Sequence, residues 1–140
     1  MTDQASPERM PNKHRKQVSG GSPYEPLIGF SRAVRHGPFI AVAGTAPVDS
    51  DGATVYHGDL YNQTKRCLDI ALAVVHRAGG TPESIVRTRV MLVDMREWKE
   101  AARAHGEVFA NLKPACTFVE VSRFIDPAWL VEVEVDCYVI

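Results

Sequence analysis

Apolar and polar residues alternate with a period of two through the last quarter of the chain. Residues 131–139 put Val131, Val133, Val135, Cys137 and Val139 on one side and Glu132, Glu134, Asp136 and Tyr138 on the other, the pattern of a half-buried strand. Residues 116–121 alternate Thr117, Val119 and Val121 against Cys116, Phe118 and Glu120, and Asp126-Pro127 separates the two runs. With both valine sides on the core, Cys116, Glu120, Glu132 and Glu134 are expected to share the opposite face of one sheet. Upstream the period lengthens. Asp59 is placed to cap a helix ending near Gly79-Gly80, with Leu60, Thr64, Cys67, Leu68, Ala71, Val74, Val75 and Ala78 in one stripe. Residues 85–93 read as a strand. Asp94 then caps a second helix to about Asn111, with Trp98, Ala102, His105, Phe109 and Leu112 as its apolar stripe.

Nearer the N-terminus, residues 28–35 approach a turn at His36-Gly37-Pro38, and residues 39–43 leave it as a short apolar strand. Residues 54–57 read as a short edge strand. Residues 1–22 are polar, punctuated by Pro7, Pro11, Gly20 and Gly21, and read as a flexible tail ahead of one domain over 23–140. The order β-β-(β)-α-β-α-β-β predicts an α+β domain, a mixed sheet with two helices on one face. The other face, with Phe118, Met91 and Tyr138 among charges, is too apolar for water alone, which predicts a homo-oligomer.

Composition narrows the class further. The length of 140 residues suits one core. A net charge of −1 gives no field to draw nucleic acid or an anionic membrane. Cys67, Cys116 and Cys137 are odd in number and lie inside periodic segments, which reads as reduced thiols in a cytoplasmic protein. No apolar run is long enough to span a bilayer. The five histidines show no paired ligand spacing, so no metal site is expected.

Several segments together resemble one family: Ser22-Pro23-Tyr24, residues 39–47, Gln63-Thr64, residues 85–90 with Asp94-Met95, Lys113-Pro114-Ala115, Val119-Glu120-Val121 and residues 131–135. In that order and spacing they are similar to the RidA family, also called YjgF or L-PSP, over about residues 21–140. The resemblance implies a chorismate-mutase-like fold, assembled as a homotrimer with clefts between subunits. It also implies hydrolysis of reactive enamines and imines such as 2-aminoacrylate, with no cofactor. RidA carries an arginine after Pro-Ala that grips the substrate carboxylate, a task suited to a two-donor fork. Here that position is Cys116. The family's serine before the glycine is Ala43, and an asparagine of the second helix is Ala102. Tyr24, Gly44 and Glu132 match. An arginine-less branch is implied, acting on an imine, enamine or related C–N compound and not on 2-aminoacrylate.

Glu132 is the candidate to position or activate water, with its ionisation disfavoured by Glu120, Glu134 and Asp136. The other reading is a solvated strand face. Cys116 is either a reactive thiol in the cleft or a small neutral replacement. The backbone from Ala43 through Gly44 to Thr45, with Ala115 and Cys116, is expected to hold the substrate beside Phe118, and Tyr24 to shape the entrance. Arg89 either replaces the missing arginine or pairs with the acidic ladder. His105 reads as a packed histidine and Cys67 as a core residue. A trimer that binds metabolites without turnover, regulatory or chaperone-like, is the alternative function. Ribonuclease action, attributed to some relatives, is disfavoured by the absence of a basic groove.

Overall fold

The computed structural model describes residues 14–140. The first thirteen residues of the expected tail lie outside the described part. The remainder of that tail is not all irregular. Arg15–Val18 forms an edge strand, β1, antiparallel to β2, Ala33–His36. Only Val18 of β1 is buried, so the strand left no alternation to read. Its ladder holds it, together with a 2.7 Å bond from Lys16 Nζ to the Arg77 carbonyl and a 2.9 Å bond from Arg77 Nη1 to the Ser19 carbonyl.

β2 is shorter than the sequence suggested, because Glu25–Gly29 winds into one wide helical turn. Gly37, at φ +59°, reverses the chain into β3, Phe39–Thr45. Residues 54–57 form no strand; Thr54 makes a single bridge to Val48. Helix α1, Leu60–Arg77, begins where Asp59 caps it, accepting from the Asn62 amide at 3.0 Å. It ends before Gly79, at φ +88°. Strand β4 is Ile85–Leu92, helix α2 Trp98–Phe109, strand β5 Ala115–Glu120 and strand β6 Val131–Tyr138.

The six strands form one mixed sheet in the order β1-β2-β3-β6-β4-β5, with β4 and β5 parallel and the other pairs antiparallel. Val131, Val133, Val135 and Cys137 of β6 pack with Ile40, Val42, Val90 and Leu92 under the α1 stripe predicted above. Burying a side chain such as Leu68 or Val75 in that layer contributes about 1.5–3 kcal/mol. The stripe of α2 is rotated from expectation. Ala101, Ala104 and Phe109 are buried, whereas Trp98 and Leu112 are exposed. Small alanines let α2 approach α1, and the bulky residues at its ends fall outside that contact.

Strand β5 is turned over relative to the prediction. In its ladder Cys116 pairs with Thr88, Phe118 with Val90 and Glu120 with Leu92, all on the helix side of the sheet. Phe118 packs against the core and sets an edge against His105, with ring centroids 6.2 Å apart. An aromatic ring gains more by burial than the two valines of a short edge strand, so Val119 is left 40% exposed. The open face therefore lacks Phe118. It carries Met91, Val119, Phe39 and Tyr138 among Arg87, Arg89, Glu132, Glu134 and Asp136.

Candidate functional site

Strands β3 and β6 stay in register from Phe39 opposite Tyr138 to Val42 opposite Val135. Thr45 then sits opposite Val133, so β3 carries one extra residue. Such a bulge bends its strand and re-aims the groups within it. Here it brings Gly44 against Glu132: a β-carbon on Gly44 would lie 3.6 Å from each carboxylate oxygen. Hydrogen in place of that carbon leaves the carboxylate against bare backbone.

On the other side of Gly44 lies a residue the sequence reading passed over. Arg32, 9% exposed, donates from Nη1 to the Gly44 carbonyl and, at 3.4 Å, to Thr45 Oγ1. Its guanidinium also lies over the Phe30 ring, 5.2 Å from the centroid. Burial lowers its pKa, and the charges of Glu25 and Glu132 work against that lowering. Glu25, also buried, accepts from the amides of Gly20 at 3.1 Å and Ser22 at 2.8 Å, which fixes the loop carrying Tyr24. A clue to Arg32 was present: it stands two residues from both Phe30 and Val34, an awkward place for a charge.

These groups line a cleft of about 470 Å³, within the usual span of small-molecule sites. Tyr24, Ala43, Gly44, Thr45 and Glu132 are brought together there as the sequence suggested, joined by Arg32, Arg66 of α1 and Trp129. The wall beyond Gly44 is built by a second polar cluster. Trp129 Nε1 donates to Thr54 Oγ1 at 2.9 Å, and Thr54 Oγ1 donates to Asp126 at 2.9 Å. Gln63, fully buried, donates to the carbonyls of Val55 and Ala128 and accepts from the Leu130 amide at 2.9 Å. A wider, shallower hollow over Val34 and Ala41 adjoins the cleft at Phe30 and Ala43, without convergent charges of its own beyond Arg15 and Glu25.

Glu132 is held above the usual carboxylate range. Burial is the largest cause, Arg32 opposes it and Glu134 adds to it, so the acidic neighbours invoked from sequence are a minor part. Cys67, wholly buried, is a core residue whose thiol is pushed well up, first by burial and then by Glu132. A half-buried carboxylate facing bare backbone can position water and exchange a proton with it.

Within the single chain the remaining sequence candidates lie apart from this cleft. Cys116, Ala115, Phe118 and Arg89 do not line the cleft with Glu132. Cys116 is exposed and on the helix side of the sheet, across from Thr88. Arg89 sits on the open face and pairs with Glu134 at 3.2 Å and Asp136 at 3.4 Å. It takes the pairing role. His105 bonds Thr88 Oγ1 through Nε2 at 2.8 Å and packs on Phe109, and burial lowers its pKa. No group of three His, Cys, Asp or Glu side chains suited to a metal ion occurs among the described residues, and no helix there is long and apolar enough to cross a membrane.

Comparison with known proteins gives a consistent family. The family model described as Endoribonuclease L-PSP matches residues 21–139. A protein of Streptomyces coelicolor, SCO2049, whose activity is uncharacterized, is 40% identical over 124 residues, covering 88% of this chain and 91% of that one. A RutC family protein of Pyrococcus abyssi is 33% identical, covering 81% and 89%. The crystal structure of Rv2704 from Mycobacterium tuberculosis, a member of the YjgF/YER057c/UK114 family, superposes with a TM-score of 0.81 at 38% identity. It covers 89% of this chain and 99% of its own.

Proposed function

The chain belongs to the endoribonuclease L-PSP family, the RidA/YjgF proteins, and from that premise we propose that it is a small-molecule hydrolase acting at the Glu132 cleft on an imine, enamine or related C–N compound. The observation that carries this reading is the Glu132 carboxylate, half-buried, ionising above its usual range and set against Gly44. As carboxylate it takes a proton from water while the water oxygen bonds to the imine carbon and the C=N π pair moves to nitrogen. The carbinolamine then collapses: nitrogen gains the proton that Glu132 holds, the hydroxyl proton follows it to nitrogen through the freed carboxylate as an oxygen lone pair forms the C=O bond, the C–N bond breaks with its pair on nitrogen, and a carbonyl compound and an amine or ammonia leave. A group that must first accept and then return a proton works best with its pKa near the working pH, and burial moves Glu132 in that direction. Tyr24 and the loop held by Glu25 shape the entrance.

We also propose the homotrimer and a cytoplasmic location. Phe39 and Tyr138, cross-strand partners on the open face, are 45% and 54% exposed, and Leu27, Ile28 and Ile125 protrude near the cleft. Neighbouring copies covering these residues would complete the clefts, and a sedimentation mass of one chain at micromolar concentration would remove that part of the reading. Ribonuclease action draws no support from a net charge of −1.

The deciding experiment generates imines with an amino-acid oxidase in the presence of semicarbazide. The wild type is expected to slow semicarbazone formation, and Glu132→Gln to leave it at the enzyme-free rate. A wild type without effect, or an equally effective Glu132→Gln, defeats the proposal.

A further inference from the structure

The chemistry of the cleft lining narrows what can enter it. Ile28, Phe30, Val48, Ile70, Ile125 and Trp129 give it apolar walls. Its acidic and basic groups are three carboxylates, Asp49, Asp126 and Glu132, against two guanidinium groups, Arg32 and Arg66. Glu25, buried nearby but outside the lining, adds a further negative charge, which acts on Arg32 more strongly than that of Glu132. The surplus is negative.

Most of these groups are spent on holding backbone. Arg32 donates to the Gly44 carbonyl and lies over the Phe30 ring, and Arg66 donates from Nε to the Val48 carbonyl at 2.7 Å. Asp49 accepts from the Asp51 and Ala53 amides, and Asp126 accepts from the Ala128 amide and the Thr54 hydroxyl. Glu132 differs. It takes no hydrogen bond and no ion pair among the described residues, and neither of its oxygens is sealed from solvent. Of the lining carboxylates it alone is uncommitted there, and it stands in a cleft with apolar walls.

We propose that the substrate of this cleft is an iminium cation carrying an apolar alkyl or aryl group and no acid group, formed by oxidation of a primary amine and not of an amino acid. The proposal rests on the Glu132 cleft being the reaction site. Beside a carboxylate an imine is held in its protonated form, the form that water attacks more readily, and the cation in turn favours ionised Glu132. The attack discharges both groups. The water oxygen bonds to carbon, its proton passes to Glu132 and the C=N pair moves to nitrogen, so the low polarity of the walls favours the step. A carboxylate on the substrate would meet the negative surplus as a like charge. An apolar group gains by leaving water for the walls, and Trp129, fixed by its 2.9 Å bond to Thr54, gives an aromatic group a ring to pack on.

The test uses the full chain and two imines that differ only in the carboxylate. A flavin amine oxidase acting on phenethylamine and an amino-acid oxidase acting on phenylalanine supply them in the presence of semicarbazide. After correction for each imine's own rate with semicarbazide, halving semicarbazone formation is expected to need at least about tenfold less wild-type protein for the amine-derived imine. Equal amounts, or less protein for the amino-acid imine, overturn the proposal. Binding is read separately by titration calorimetry with stable ions. The wild type is expected to bind phenethylammonium at least about tenfold more tightly than either phenylpropionate or ethylammonium. Arg66→Gln should tighten phenethylammonium several-fold, and Asp49→Asn, which keeps an acceptor for its turn, should loosen it several-fold. General damage to the fold does not produce opposite signs. Tighter binding of phenylpropionate, no binding of phenethylammonium, or unchanged affinity in either variant overturns the ligand class. Preference for the cation without turnover of either imine removes the hydrolase and keeps the ligand class; equal turnover of both imines with no preference for the cation does the reverse.

Discussion

Replacing Gln63 by Glu exchanges one heavy atom, the amide nitrogen for an oxygen, and isolates the polar cluster behind the far wall of the cleft. In the native chain Gln63 makes three bonds without solvent: two donated, to Val55 at 3.2 Å and Ala128 at 3.0 Å, and one accepted from Leu130 at 2.9 Å. A protonated glutamic acid keeps the acceptor and one donor, so at low pH Gln63→Glu loses one bond, about 1 kcal/mol. The ionised side chain has no donor for either carbonyl and no hydration. Burial and the facing carbonyls therefore raise its folded pKa above the unfolded value of about 4.3. For a raised pKa the stability is complete below the unfolded value and drains as pH rises through the folded one. The deficit grows by about 1.4 kcal/mol per pH unit between the unfolded and the folded value. If the group stays protonated in the fold to neutrality, Gln63→Glu is about 1 kcal/mol below wild type near pH 4 and about 4–5 kcal/mol below it at pH 7. Against the 5–15 kcal/mol typical of a domain, that is a large loss. Urea unfolding of both proteins at the two pH values measures it. A deficit that is the same at both would show that Gln63 is not sealed among these backbone groups.

Other outcomes follow from the same geometry. Activity that needs ionised Glu132 should rise with pH through a midpoint above the ordinary carboxylate range. Glu132→Gln should remove that limb and, because burial raises the pKa in the fold, gain stability relative to wild type as pH increases, read by thermal unfolding across pH 4–8. With native protein, one thiol should react readily with a maleimide. Cys116 is exposed, whereas Cys67 and Cys137 are buried and Cys137 is pushed up to about 11 by burial, so those two should label only on unfolding. Cys116→Ser should leave imine hydrolysis within about twofold of wild type, since ordinary changes away from a site are small. Arg89→Ala should cost the single chain under about 1 kcal/mol, because both ends of its pairs are over a third or nearly a quarter exposed.

Much of this architecture was legible because burial writes a period into the sequence. The β6 alternation, the α1 stripe and the Asp59 cap are all local signals, and Tyr24, the Gly44 segment and Glu132 were found through motif order. What escaped was decided by competition between distant residues. The orientation of β5 turned on whether Phe118 or the valines would win the α2 side, which depended on where His105 and Phe109 lay. Arg32 stayed hidden because a charge in an apolar register reads as solvent-facing until a bulge elsewhere offers it a carbonyl. Gln63 has no local signature, since its three partners come from two loops far along the chain.

The position of β6 carries a consequence for how the protein is made. Of the described strands, the one synthesised last is the one that joins β3 to β4, so β1-β2-β3 and β4-β5 have no shared seam until residues 131–138 emerge. Glu132 sits in that same seam, beside Gly44 from the first half. Sheet closure and assembly of the cleft are thus a single late event. A nascent chain stalled before Val131 should be cut readily by protease, and one released past Tyr138 should resist. Until then both apolar half-sheets wait in solution, the interval in which a cell's chaperones would matter most to this protein.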